Sequence, residues 1–262
     1  MTDFVCIGVP YYIGERIDSR TEVEMIRSSG IVEELKAKWV DIEPDFAASP
    51  DPVTAVNRAL KDAIKAHSER TPIIFAGDCC CLLGAMKGLE AQHPVVLWYD
   101  AHGDFNTPET TPSGFLGGMP LAWLVGRGHM QYMEGVDLQP ISEKDVIAID
   151  VRDLDPGEYE NLHGSDVTIL SNVDDLLTFD LPDKPVYLHM DIDIIDPDEM
   201  PGLGYPAPGG PSVERVANTV TRVAQDAQVA GMLFSLFNGG AEGADRALAG
   251  VLRLIRALAA GS

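Results

Sequence analysis

The chain has 262 residues, of which 45% are hydrophobic, and this is enough for one domain with a full core. Its formal net charge of −22 argues against nucleic acid or an anionic membrane as a partner, because both are bound through basic patches. No apolar run has the length that a membrane-spanning helix needs. The sequence therefore predicts a single domain over residues 1–262 that binds neither nucleic acid nor a membrane.

The cysteines predict no disulfide framework. Cys79, Cys80 and Cys81 are consecutive, and adjacent cysteines are poor disulfide partners; Cys6 stands alone. Free thiols suit a reducing compartment. The opening residues 2–10 are typical of a first strand, since no basic stretch precedes a hydrophobic run as it does in a secretion signal. A cytoplasmic location is the expectation.

Short apolar runs alternate with longer amphipathic stretches along the chain. Continuous apolar runs are typical of parallel strands buried on both faces, and they predict strands at Val5–Val9, Ile73–Ala76, Val95–Tyr99, Val146–Val151, Val167–Leu170, Val186–Met190 and Val229–Phe234. The amphipathic stretches predict helices at Val53–Glu69, Leu116–Leu124, Ser212–Ala227 and Ala241–Leu258. This alternation predicts an α/β fold with a mostly parallel, doubly wound β-sheet flanked by helices. In such sheets the active site lies at the carboxyl ends of the strands.

The first polar motif follows the predicted strand Val95–Tyr99. Asp100, His102 and Asp104 alternate, so an extended chain places all three side chains on one side. Two carboxylates and an imidazole are ligands suited to a divalent cation such as Mn²⁺. The competing interpretation is a hydrogen-bonded loop that caps the next helix, which is common for one aspartate and much less so for this pattern.

The second motif has the same design. Asp191 and Asp193 follow the predicted strand Val186–Met190, and Asp196 comes next before a proline. Acids so close together repel one another unless a cation lies between them. With the first motif, they make two metals about 3.5–4 Å apart plausible. Asp196 belongs either to a turn or to the residues that orient the ligands.

The third motif is the run from Gly77 to Cys81 after another apolar strand. A thiol at Cys79 has three interpretations: metal ligand, nucleophile or packing residue. A buried cysteine is by default a small hydrophobic residue. Its position at a strand end, rather than its type, favours the ligand.

Together these motifs resemble the ureohydrolase family of arginases, agmatinases and their relatives. The likeness covers nearly the whole chain, including the early segment from Gly8 to Leu35. It is carried most specifically by the blocks Asp100–Pro120 (DAHGDFNTPETTPSGFLGGMP), Arg152–Glu158 (RDLDPGE) and Met190–Pro197 (MDIDIIDP). The resemblance implies an arginase-like three-layer α/β/α fold, a small-molecule substrate and a homo-oligomer. It also implies one or two Mn²⁺ ions per chain.

The resemblance implies a role for each matching residue. Asp104 and His102 would be catalytic, Asp196 would support the ligands, and the metal ligands would be Cys79, Asp100, His102, Asp104, Asp191 and Asp193. Substrate would be held by Asn106, Thr111 and Ser113 at an α-carboxylate, and by Asp155 and Glu158 at an α-amino group. The implied reaction is hydrolysis of a C–N bond of a guanidino-type group by a metal-bound hydroxide, which agrees with the acidic motifs.

The sequence departs from the family pattern at four positions. Cys79 replaces a histidine ligand, and a thiolate is a poor match for Mn²⁺, so this site is expected to be weak or to hold another divalent metal. Gly117 replaces a histidine that transfers protons, Leu236 replaces a glutamate that contacts the guanidinium, and Phe115 replaces a polar residue. These changes favour a modified arginine, because the chain is similar to the Nω-hydroxyarginine hydrolase branch and an N-hydroxyguanidine is less basic than a guanidine.

Three other interpretations stay open. One keeps the enzyme class but changes the substrate to agmatine, a guanidino acid or another C–N compound. One is a degenerate member of the family that binds a ligand without catalysis, although retained acids at one site speak against it. The last is thiol chemistry at Cys79–Cys81, for which no histidine has a clear place as the base.

Overall fold

The structure is a computed structural model that describes residues 3–16, 21–235 and 237–261. Its strands are Phe4–Val9 (β1), Tyr11–Tyr12 (β2), Glu15–Arg16 (β3), Lys38–Asp41 (β4), Thr71–Ala76 (β5), Val95–Tyr99 (β6), Val146–Ile149 (β7), Thr168–Leu170 (β8), Val186–Asp191 (β9) and Val229–Ser235 (β10). Its helices are Glu22–Arg27 (α1), Ile31–Glu34 (α2), Pro52–Lys65 (α3), Leu82–Gly88 (α4), Pro120–Leu124 (α5), Met130–Gly135 (α6), Pro156–His163 (α7), Val213–Asp226 (α8) and Ala244–Gly261 (α9).

One parallel sheet organises the described residues. Eight of their strands pair in the order β4-β1-β5-β10-β9-β6-β7-β8, and each of these pairings is parallel. The short strands β2 and β3 form a separate antiparallel hairpin. Because the strands are parallel, their carboxyl ends lie along the same edge, and that edge carries all three polar motifs.

Two hydrophobic layers cover the faces of the sheet. Side chains of α1, α8 and α9 pack on one face, and side chains of α3, α4 and α5 pack on the other. Alternate residues of β9 enter opposite layers: Leu188 and Met190 enter the first, and Tyr187 enters the second. Burial on both faces explains why these strands are continuously apolar. The predicted three-layer α/β/α fold is confirmed.

Two of the predicted elements differ from the structure in an informative way. The predicted helix Leu116–Leu124 is wrong, because a 3₁₀ turn at Leu116–Gly118 precedes α5, which begins at Pro120. Proline lacks an N–H and fits the first turn of a helix but not its interior. The predicted strand Val146–Val151 ends at Ile149, since Asp150 has a positive φ of 61° that breaks the extended backbone.

The sequence patterns do not indicate β4 or the β2–β3 hairpin. Strand β4 lies at the edge of the sheet and is only half-buried, so it lacks a continuous apolar run. Strands β2 and β3 have two residues each, too few for a periodic pattern. No helix within residues 3–16, 21–235 and 237–261 is long and apolar enough to cross a membrane.

Candidate active site

The end of β6 places Asp100 and His102 together. Asp100 is buried, and its Oδ1 accepts a hydrogen bond from the backbone N of His102 at 2.7 Å. This local bond turns the chain sharply after the strand. The His102 Nδ1 then lies 3.0 Å from Asp193 Oδ2 and 3.5 Å from Asp100 Oδ1. Both carboxylates therefore face one imidazole nitrogen.

The end of β9 is built in the same way and is attached to the end of β6. Asp191 Oδ1 accepts from the backbone N of Asp193 at 2.9 Å and so begins the 3₁₀ turn Ile192–Ile194. Asp193 Oδ1 accepts from the backbone N of Ala101 at 3.2 Å. This bond joins two segments that are far apart in the chain, and it holds the two acidic motifs in contact.

The third strand end positions Cys79. The side chain of Asp78 accepts from the backbone N of Cys80 at 2.7 Å, which caps the 3₁₀ turn Cys79–Cys81. Residue 77 must be glycine, because a Cβ there would lie 2.2 Å from the carbonyl oxygen of Tyr11. The Cys79 thiol donates to Asp191 Oδ2 at 3.1 Å. The thiol thus reaches the carboxylate cluster directly.

Two groups of side chains in the described part of the chain have the spacing of metal ligands. The oxygen–imidazole group consists of Asp100, His102 and Asp193, and the thiol group consists of Cys79, Asp100 and Asp104. Within each group the ligand atoms all lie within 4.8 Å of one another. Asp100 belongs to both groups. Asp191 is in neither, but it contacts the thiol group through Cys79.

Burial and mutual repulsion make the ionised form of the clustered acids unfavourable. Burial and the charges of neighbouring acids raise the pKa of Asp100 and of Asp104 well above its usual range. Burial and Asp193 raise the pKa of Asp191 to about 7. Burial lowers the pKa of His102, but its hydrogen bonds to Asp100 and Asp193 outweigh this and raise the pKa to about 12. A divalent cation removes this mutual repulsion, and the oxygen and nitrogen donors fit one such as Mn²⁺.

Backbone strain is present at Asp104. This residue has a positive φ of 44°, which is uncommon for residues other than glycine. The next residue, Phe105, donates its backbone N–H to Glu158 Oε1 at 2.9 Å, and Ala122 donates its N–H to the carbonyl of Asp104 at 3.1 Å. The surrounding hydrogen bonds therefore hold Asp104 in a conformation that directs it to the cluster. Such strain is frequent at functional sites.

The residues predicted to bind substrate lie on the same cleft, which has a volume of about 610 Å³. Asn106 Nδ2 donates to Asp155 Oδ2 at 3.0 Å, so these two residues form one polar unit. The hydroxyls of Thr111 and Ser113 lie 3.5 Å apart on the neighbouring loop. Glu158 lines the cleft too, but both of its carboxylate oxygens accept backbone N–H groups, from Phe105 and Asp155.

Asp196 lies in a turn outside the lining of the cleft. Its two carboxylate oxygens accept from the backbone N of Asp198 and of Gly209, each at 2.9 Å. These bonds close the loop that follows β9. Of the two interpretations from the sequence, the contacts of Asp196 therefore favour the turn.

The structure describes three of the four departures from the family pattern. Gly117 is buried in the wall of the cleft, and the ring of Phe115 lies against it. Cys79 stands among the acids, where burial and the charges of Asp191, Asp104 and Asp100 raise the pKa of its thiol well above the usual range. Leu236 lies outside the described residues.

Several residues of the cleft were not singled out from the sequence. They are Tyr12, Asp153, Tyr205, Ser235 and Asn238. Asp153 Oδ2 lies 3.8 Å from His102 Nε2, and the ring of Tyr205 lies 6.5 Å from that of His102. Asp153 belongs to the RDLDPGE block, so membership of that motif is a sequence signal that indicates it. The tyrosines lie outside every motif, so no local signal indicates them.

An acidic cluster of this kind, at the carboxyl edge of a parallel sheet between two helical layers, is typical of metal-dependent α/β hydrolases. Comparison with known proteins is more specific. The model of the arginase family matches residues 3–234. The arginase of Bacillus caldovelox is 31% identical, over 78% of this chain and 80% of that protein. The chain belongs to the arginase family.

Solved structures agree with this assignment. The crystal structure of arginase from Bacillus cereus matches with a TM-score of 0.86 and 25% identity, over 100% of this chain and 99% of that one. The formimidoylglutamase of Bacillus subtilis matches with a TM-score of 0.73 and 17% identity, over 100% of this chain and 87% of that one, which shows the fold alone. The protein is therefore a hydrolase that acts on C–N bonds in linear amidines.

Proposed function

We propose that this protein uses Mn²⁺ to hydrolyse the C–N bond of a guanidino group carried by an amino-acid-like substrate. The observation that supports this most directly is the pair of ligand groups sharing Asp100 at the carboxyl edge of the sheet. Cations held by these two groups would suit a reaction in which water attacks a carbon while charge develops on its substituents. The similarity to proteins named arginase supports a guanidino substrate.

The donors divide the proposed cations between two environments. Asp100, His102 and Asp193 would hold Mn²⁺, because carboxylates and imidazole suit it. Cys79 and Asp104 would complete a second site with Asp100, and the thiol makes this site weaker for Mn²⁺ or selective for a softer cation. A cation bound here lowers the pKa of water and so supplies a nucleophile near neutral pH.

The substrate's amino-acid head fits the outer part of the cleft. Asp155 places a carboxylate there, oriented by Asn106, and a carboxylate is a suitable partner for an α-amino group. The hydroxyls of Thr111 and Ser113 offer neutral donors to an α-carboxylate. These features favour arginine or a modified arginine over a bare amine such as agmatine.

Between those two, we propose Nω-hydroxyarginine as the preferred substrate. The wall of the cleft at Gly117 carries no proton-transferring side chain, and the Phe115 ring lies against it. A wall of this kind offers no charged partner to a strongly basic guanidinium. An N-hydroxyguanidine is less basic and depends less on such a partner.

The test is release of urea-type product after Mn²⁺ loading, with arginine, Nω-hydroxyarginine and agmatine offered in parallel. We expect turnover of Nω-hydroxyarginine above the other two, and its loss in Asp193→Asn. Asp183→Asn is the matched control, since Asp183 is exposed and precedes β9 at the opposite edge of the sheet. Faster turnover of agmatine would overturn the amino-acid head. Bound Mn²⁺ with no turnover of any guanidino compound would overturn the proposed function.

A further inference from the structure

The side chain of Phe115 occupies the space that a side chain at position 117 would need. A Cβ built on Gly117 would lie 2.4 Å from Cε1 and 2.6 Å from Cζ of the Phe115 ring, far closer than real contacts. The ring is thus in direct contact with the backbone of the cleft wall. Phe115 and Gly117 therefore pack as one unit, in which the ring of Phe115 fills the space that a side chain at residue 117 would occupy.

Two tyrosines extend this surface. The ring centroids of Tyr12 and Phe115 lie 6.3 Å apart, with 29° between the ring planes. The ring centroids of Tyr205 and Phe115 lie 5.3 Å apart, with 41° between the ring planes. We call Tyr12, Phe115 and Tyr205 the aromatic wall. All three line the cleft that holds the candidate metal ligands, and the ring centroid of Tyr205 lies 6.5 Å from that of His102, with the two ring planes at 85°.

Each end of the aromatic wall is attached to the site. The backbone N of Ile13, next to Tyr12, donates to Asp78 Oδ2 at 2.7 Å. At the other end, Arg152 donates to the carbonyl of Ala207 at 2.7 Å and to that of Asp193 at 3.2 Å. These bonds connect the segments next to Tyr12 and Tyr205 to residues of the site, although Tyr205 itself is 54% exposed.

The lining of the cleft combines two kinds of chemistry. It contains the carboxylates of both ligand groups and the three rings of the aromatic wall, and Tyr205 lies next to His102. A guanidino group is planar, carries positive charge when protonated and stacks on aromatic faces, with an attraction that grows as water is excluded. We propose that the aromatic wall, with Phe115 at its centre, stacks against the guanidino group of the substrate and is a specificity determinant of this enzyme. This inference rests on the proposed function.

The alternative is that Phe115 only fills space above Gly117. In that case its replacement would affect every ligand alike, through a general change in the shape of the cleft. A stacking role instead predicts a selective effect on ligands that carry a guanidino group. Ornithine is the matched probe, because it has the same amino-acid head as arginine and lacks the guanidino carbon and its two outer nitrogens.

The experiment compares Phe115→Leu with Phe115→Tyr in the Mn²⁺-loaded enzyme. Leucine keeps an apolar side chain and removes the ring, whereas tyrosine keeps the ring. We expect Phe115→Leu to raise KM for the guanidino substrate about 2- to 30-fold, with inhibition by ornithine changed less than twofold. Phe115→Tyr should stay within about twofold of the wild type for both ligands. Equal weakening of both ligands, or an unchanged KM in Phe115→Leu, would overturn the inference.

A second pair of variants tests the contact between the Phe115 ring and Gly117. Gly117→Ala should displace the Phe115 ring and raise the same KM, but it should have little further effect in a Phe115→Ala background, where the clash is absent. Additive effects of the two changes would contradict the coupling. Turnover by the wild type decides the proposed function separately: if guanidino compounds are hydrolysed but the Phe115 variants behave as wild type, only the stacking role fails.

Discussion

The two groups of candidate metal ligands share Asp100 but differ in chemistry and in the way they are held. In the oxygen–imidazole group, Asp193 bonds to the backbone of the neighbouring strand end, and His102 faces both carboxylates. In the thiol group, Cys79 is positioned by the cap at Asp78, and Asp104 by a positive φ. Asp193 is thus fixed by a backbone N–H of the other strand end, whereas Cys79 is fixed by its own turn and then bonds through its thiol to Asp191.

If both groups bind a cation, as proposed, this difference is a way for one residue type to tune the site without changing the fold around it. A hard cation is favoured by carboxylate and imidazole, and a thiolate shifts the preference towards softer cations. Because Asp100 serves both groups, the two sites cannot be independent. We therefore expect the oxygen–imidazole group to bind Mn²⁺, and the thiol group to bind Mn²⁺ weakly or to prefer a softer cation.

The largest expected effect comes from the shared ligand. Asp100→Asn should lower kcat/KM for the guanidino substrate about 10³-fold or more, because it weakens both groups and a bound cation contributes several kcal/mol to such reactions. Metal content per chain, measured after loading and desalting, should fall in parallel, while Asp183→Asn keeps both values. Full activity in Asp100→Asn would mean that the groups do not share this ligand.

A smaller effect is expected at the thiol. Cys79→His should strengthen binding of Mn²⁺ to the weaker site about tenfold or more, because imidazole suits this cation better than a thiol. Titration of the metal-free protein with Mn²⁺ measures this change. Cys81→Ala is the control, since Cys81 is buried in the same turn but belongs to neither group. An unchanged weaker site would show that the thiol does not limit Mn²⁺ binding.

The smallest effect concerns stability in acid and depends on a buried histidine of β9. His189 is fully buried two residues before Asp191, stacked on Trp98 at 3.8 Å, and neither ring nitrogen has a hydrogen-bond partner among the described residues. Burial lowers the pKa of His189 to about 3. The unfolded chain takes up a proton below about pH 6.5, whereas the folded protein does not until about pH 3, so stability is lost as the pH falls.

We therefore compare His189→Leu with the wild type in metal-free urea unfolding. Between pH 7 and pH 5 the free energy of unfolding should fall by about 2 kcal/mol more in the wild type than in the variant. The metal-free protein is used because a bound metal would dissociate in acid and would itself change the free energy of unfolding. Parallel pH profiles for the two proteins would mean that water reaches His189 and that its surroundings are not dry.

The acidic motifs were predictable from the sequence because each follows a buried strand directly. Alternation along an extended chain brings Asp100 and His102 together, and the parallel sheet brings Asp193 to them. The predicted helix Leu116–Leu124 was wrong because its apolar pattern conceals the break before Pro120. Apolar periodicity alone cannot separate a helix from a turn followed by a helix.

The sequence by itself determined the sheet, its polar edge and the family, since strand burial and residue spacing are local properties that survive in the linear chain. Only the tertiary structure decided the aromatic wall of the cleft. Tyr12, Phe115 and Tyr205 are far apart in the sequence, and an aromatic residue has no local pattern that indicates its neighbours. They meet because the β2–β3 hairpin, the loop before α5 and the loop after β9 all reach the same edge of the sheet, where long-range contacts rather than periodicity set the geometry.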